Sequence, residues 1–103
     1  MNYEILQSAP AVRDLDSIIH YIAIRLNNPK AASDLLDEFE NRLANLHDSP
    51  RFYSPARSER LAGKGFHQFT FGNYVAFYKI VEEEHKVFIV RIFYQKQDYD
   101  KKL

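Results

Sequence analysis

Cysteine and tryptophan are absent from this 103-residue chain, and glycine, proline and methionine number only three, four and one. Without cysteine there is neither a disulfide framework nor a thiolate metal site, and the four histidines lie scattered rather than at metal-ligand spacing. No metal and no other cofactor is expected. No stretch approaches the run of about 18 uncharged apolar residues that a membrane span requires, so no membrane association is expected. Residues 1–10 carry no basic start, apolar core and small-residue cleavage site, the marks of an export signal, which leads to the expectation of a cytoplasmic protein. Repeats and low-complexity tracts are also missing, and the length suits one core, so residues 1–103 read as a single domain.

Net charge is missing too, since 14 Lys and Arg balance 14 Asp and Glu. The balance hides a split. Residues 1–50 hold four basic against eight acidic side chains, and residues 51–103 hold ten against six. An anionic partner is expected to meet the second half first.

What is present is hydrophobic periodicity. Tyr3, Ile5 and Gln7 alternate with Glu4, Leu6 and Ser8, the period of an opening strand. Ser8 offers an N-cap, and Pro10 falls in a first helical turn, where its missing N–H has no intrahelical partner to lose. Leu15, Ile18, Ile19, Ile22 and Leu26 then recur at spacings of three and four and predict one apolar helical stripe. Asn27-Asn28-Pro29 ends that helix, and Asn28-Pro29 starts the next, which carries Ala32, Leu35, Leu36, Phe39, Leu43 and Leu46 on one side. Each large apolar side chain contributes about 1.5–3 kcal/mol when buried, so both stripes need a sheet to cover.

Residues 51–65 contain Pro55, Gly63, Gly65 and four basic residues, and predict an irregular basic connection. Beyond it, Phe66 to Phe71, Tyr74 to Val81 and Lys86 to Tyr94 are rich in aromatic and β-branched residues, with Gly72-Asn73 and Glu82 to His85 between them. The expected fold is α+β: an N-terminal strand, an antiparallel helical hairpin, and a three-stranded antiparallel meander packed on the helices.

Arg91 is the most informative single residue, because it interrupts the last strand and, by strict alternation, shares a face with Val87, Ile89 and Phe93. A guanidinium there either pairs with a carboxylate at the sheet margin or grips a phosphate bidentately, and the expectation is that it matters for activity more than for folding. Arg51, Arg57, Arg60 and Lys64 are interleaved with Phe52, Tyr53 and Phe66, the mixture that holds single-stranded nucleic acid, although solvated or partner-binding loops share it. His67 and Tyr94 or Tyr99 are the acid-base candidates of the basic half. His20, His47 and His85 read as surface residues.

These segments occur in a telling order. A strand, a helical hairpin closed by Asn-Pro and a basic loop precede Gly65-Phe66-His67, Gly72-Asn73-Tyr74, Phe77-Tyr78-Lys79 and Arg91-Ile92-Phe93-Tyr94, with Asp98-Tyr99 at the end. That order resembles the RelE/ParE toxins of type II toxin-antitoxin systems over nearly the whole chain. The resemblance implies a toxin that arrests bacterial growth and a cognate antitoxin, acidic and partly disordered until bound. Arg51, Arg57, Arg60, Lys64, Arg91 and Lys96 are its expected binding cations.

The same resemblance leaves two targets open. RelE-like members cleave messenger RNA on the ribosome, which would assign Arg60 and Arg91 to the phosphate, Lys64 to the developing charge, and His67 or Tyr99 to proton transfer. ParE-like members poison DNA gyrase. Many relatives have Gly-Tyr-Arg where this chain has Gly65-Phe66-His67, and Gly-Arg-Arg-Asp-Tyr where it has Gln95-Lys96-Gln97-Asp98-Tyr99. Phosphate-holding charge is thinner here, and the reading leans toward gyrase. A third reading is an antitoxin-binding module without toxicity.

Overall fold

The computed structural model describes residues 2–103. Strand β1 (Glu4–Gln7) leads directly into helix α1 (Ala9–His20), whose N-terminus is capped as the sequence predicts, with the Ser8 hydroxyl accepting from the Ala11 N–H at 3.1 Å. After His20 the backbone widens into a π-helical turn, Tyr21–Arg25, so the helix predicted to run unbroken to Asn27 changes its pitch. The change moves Leu26 off the buried stripe and leaves it 56% exposed. Asn28 then caps helix α2 (Pro29–Asp48) through the Ala31 N–H at 3.1 Å.

The segment predicted to be irregular folds further than expected. Ser58 caps a short helix, α3 (Glu59–Gly63), because its hydroxyl reaches the Leu61 N–H. Strands β2 (His67–Phe71), β3 (Tyr74–Val81) and β4 (Lys86–Tyr94) follow as an antiparallel meander. β1 joins its far side parallel to β4, giving the order β1-β4-β3-β2. The α+β architecture is the one the sequence predicts.

Each sheet face has its own core. On one, Phe69, Phe71, Ala76, Tyr78, Val87, Ile89 and Ile92 pack against Ala11, Leu15, Leu35, Phe39 and Leu46 of the hairpin. On the other, Val75, Phe77 and Phe93 are covered by Ala56, Leu61 and Phe66, with Tyr99 and Leu103 packed against them. This second cover comes from the 51–65 connection, the Phe66 that follows it and the C-terminal turn, which therefore belong to the fold.

A bulge in β4 decides how the two faces are populated. Phe77 stands opposite Arg91 and Tyr78 opposite Ile89, so Val90 has no partner on β3. Alternation is broken at that point. Val87 and Ile89 face the helices, and so does Ile92, which puts Arg91 and Phe93 on the opposite face. The expectation that Arg91 shares a face with Val87 and Ile89 is thus corrected, because strict period-two counting fails across an extra residue.

Candidate functional site

β1 ends opposite Ile89, which leaves the rest of β4 with no strand along that edge. Helix α1 closes it with side chains. Ser8 Oγ donates to the Val90 carbonyl at 2.7 Å, and the Asp14 carboxylate accepts the Ile92 N–H at 2.9 Å. The same carboxylate receives Arg91 Nε at 2.8 Å and Nη2 at 3.1 Å, so the fork that would suit a phosphate is filled from within. The hydrogen bonding to Asp14, outweighing partial burial, raises Arg91 above its ordinary value and keeps it charged. The guanidinium also lies over the Phe93 ring at 4.8 Å.

Three other candidate residues gather at the C-terminal turn. Arg60 Nε donates to the Asp100 carboxylate at 3.3 Å, and its Nη2 donates to the Asp100 carbonyl. Lys64 Nζ reaches the main-chain oxygen of Leu103 at 3.3 Å. Tyr99 stacks on Phe93 at 5.7 Å and packs against Phe77 at 5.2 Å. A hydrogen bond from Ser58, assisted by Arg60, holds the Asp100 carboxyl below its usual range, so the turn is pinned by an anion in its ionised form.

His67 does not join them. Its ring stacks on Tyr78 at 5.3 Å, and its Nδ1 lies 3.2 Å from the Tyr53 carbonyl, on the helix-facing side of the sheet. Arg60, Lys64 and Tyr99 contact the opposite cover, so the five residues the nuclease reading requires are divided between the two faces. Arg51 is paired with Glu82, and Lys96 is exposed. His47 is exposed, as expected of a surface residue, and its Nδ1 lies 2.8 Å from the Tyr3 carbonyl.

Residues that sequence reasoning did not single out do the anchoring here. Asp14 looked like one acidic residue among eight in its half, and nothing local marks it as the partner of a strand 77 residues away. Asp100 is similarly inconspicuous in the sequence. The available signal was only a charge on a strand that otherwise reads as buried, which demands a carboxylate or a ligand without saying which.

With this geometry in view, comparison with known proteins assigns a class. The family model described as the ParE toxin of type II toxin-antitoxin systems, parDE, matches residues 5–99, and the chain belongs to that family. It is a type II toxin of the ParE/RelE group. Similar solved structures include the RelBE2 toxin-antitoxin complex of Mycobacterium tuberculosis, at 23% identity and a TM-score of 0.62, covering 91% of this chain and 99% of that one. They also include the chromosomal ParDE system of P. aeruginosa, at 18% identity and 0.65, covering 87% and 92%. The isolated E. coli RelE toxin matches at 14% identity and 0.65, covering 97% and 92%. At these identities the structures share the fold. Curated protein sequences yield no match.

Proposed function

We propose that this toxin arrests bacterial growth in the ParE manner, by inhibiting DNA gyrase in the cytoplasm, and that a cognate antitoxin restrains it. The observation that carries the reading is the Asp14 carboxylate lodged in the Arg91 fork at 2.8 and 3.1 Å. A phosphate competing for that guanidinium must first displace a bidentate partner that also holds the Ile92 N–H. The division of His67 from Arg60, Lys64 and Tyr99 by the thickness of the sheet adds support. Relatives of this fold are solved as toxin-antitoxin complexes, which supports an antitoxin for this chain. Such a partner, acidic by expectation, would be drawn to the cations of the second half, among them Lys96.

The gathering of Arg60, Lys64 and Tyr99 around one turn favours the RelE-like alternative, since a displaced C-terminus would free two cations beside a phenol. One pair of assays separates the readings. The purified toxin is expected to block supercoiling by gyrase and to leave messenger intact in a translating extract. Codon-positioned cleavage with supercoiling unaffected would establish the alternative. Normal growth of cells that accumulate the folded protein would leave an antitoxin-binding module without toxicity.

A further inference from the structure

Three of the four arginines after residue 50 are bound internally, Arg51 by Glu82, Arg60 by Asp100 and Arg91 by Asp14. Arg57 is the exception: among the described residues its guanidinium has no carboxylate and no hydrogen-bond partner. It lines a cleft of about 310 Å³ between the Phe52–Arg57 segment and the outer edge of β2. In the same cleft is Phe52, 61% exposed, the second most exposed of the large apolar side chains. Its ring is fixed edge-on to Tyr53 at 5.0 Å, and Tyr53 is in turn anchored by its hydroxyl to the Arg42 carbonyl.

A carboxamide donor stands beside the free guanidinium in the cleft. Gln68 Oε1 accepts the Arg57 main-chain N–H at 3.0 Å, which assigns its carboxamide orientation and leaves the –NH₂ free to donate. Ser54 and Thr70 also line the cleft, each with a hydroxyl that can donate or accept, and no carboxylate of the described residues lines it. A free guanidinium, a carboxamide donor and an aromatic ring held out to solvent define a ligand that is anionic, rich in acceptors and flat. An acidic peptide would satisfy the cation and leave the ring unused. We infer that the Phe52–Arg57–Gln68 cleft binds one nucleotide unit, with the base on Phe52 and the phosphate on Arg57, either as a free mononucleotide or as one position of a single strand. The site is separate from the Arg60 and Tyr99 cluster and does not depend on which target the toxin has.

The test titrates isotope-labelled full-length protein with adenosine 5′-monophosphate, adenosine, inorganic phosphate, a ten-nucleotide oligoadenylate and a ten-residue polyglutamate, following amide resonances. Adenosine monophosphate is expected to shift the Arg57, Gln68 and Thr70 amides, and to bind more tightly than adenosine or phosphate alone. Phe52→Ala and Arg57→Gln should each weaken it by roughly tenfold, with Phe52→Tyr close to the parent. Both side chains are exposed, and unchanged thermal melting will verify that the variants fold. Oligoadenylate binding at least about tenfold tighter than the mononucleotide assigns a single strand, and equal binding assigns a free nucleotide. The inference is overturned if neither nucleotide probe shifts these amides, if both variants bind as well as the parent, or if polyglutamate binds there more tightly than either nucleotide.

Discussion

Asp14 and Arg91 stand 77 residues apart in the chain and meet through two charge-assisted hydrogen bonds, at 2.8 and 3.1 Å. The carboxylate side chain is 17% exposed and the guanidinium 31%, so water screens the pair only in part. Arg91→Ala would leave Asp14 half-buried without its counter-charge, a loss of about 2–3 kcal/mol. Melting should fall by roughly 10 °C or more for a domain of this size. Asp14→Ala should cost at least as much, because it also orphans the Ile92 N–H. If calorimetry shows melting shifts of under about 2 °C for both, the pair is not part of the scaffold. The sequence led to the expectation that Arg91 matters more for toxicity than for folding; large melting shifts in both variants would place its principal effect on stability instead.

The β2-β3 turn depends on Gly72, whose φ is +54° and whose N–H donates to Glu38 at 2.9 Å. A Cβ built there would come within 2.6 Å of Leu35 Cδ1. Leu35 can yield a little at its tip, but the left-handed backbone still penalises an L side chain, so Gly72→Ala should cost about 1–2 kcal/mol. Gly72→Asn should recover part of the backbone component, since asparagine tolerates that region. Urea titrations of the two variants check the ranking.

Tyr78 is fully buried, donates its hydroxyl to the Pro50 carbonyl at 3.1 Å, and has its pKa pushed far above the ordinary 10.0, chiefly by burial. The neutral phenol is what the folded state holds. Its contribution is complete below pH 10.0 and is lost as the pH climbs toward the folded value, because the unfolded chain releases the proton first. Stability should therefore fall above pH 10.0 by up to about 1.4 kcal/mol per pH unit from this group. Tyr78→Phe should flatten that alkaline limb while losing about 1 kcal/mol at neutral pH. An equally steep limb in the variant would assign the effect elsewhere.

The C-terminal turn is held by Arg60 and by its ring contacts, and the Asp100 anion is its electrostatic half. Arg60→Gln should leave the global melting temperature nearly unchanged and speed hydrogen exchange at the Lys102 amide, which donates to the Tyr99 carbonyl. Lowering the pH through the depressed Asp100 pKa should loosen the parent in the same way. Protection at Lys102, taken relative to the intrinsic exchange rate at each pH, that ignores both changes would show that stacking on Phe93 alone fixes the turn.

Much of this scaffold is legible from local chemistry. Ser8 and Asn28 are caps because their short side chains reach the third residue on, and β3 and β4 have the boundaries that their aromatic and β-branched runs predict. Other parts leave no local trace. The pairing of Asp14 with Arg91 arises from the tertiary path, the π-helical turn at Tyr21–Arg25 interrupts a pattern that continues on paper, and the slip at Val90 is a property of two strands together. Ala56 and Leu61 looked like members of a basic loop and Phe66 like the start of a strand, yet all three cover the second face, because the meander alone cannot hide Phe77 and Phe93. For the candidate site, residue types were readable, and the face of the sheet each one occupies was not.

Val90 acts on the last strand as an inserted half-step acts on a phase. If Val90 instead took an ordinary place in the ladder, β4 would return to unbroken alternation, swinging Arg91 under the helices and Ile92 out beside Phe77. Asp14 would lose both its donors at once, and a guanidinium would compete for space with Leu15 and Ile89. The bulge at this position separates a closed sheet margin from a helix that has nowhere to dock. Among toxins of this architecture, losing such a bulge at unchanged strand length would reassign which side of the sheet carries the charge, even where every side chain was kept.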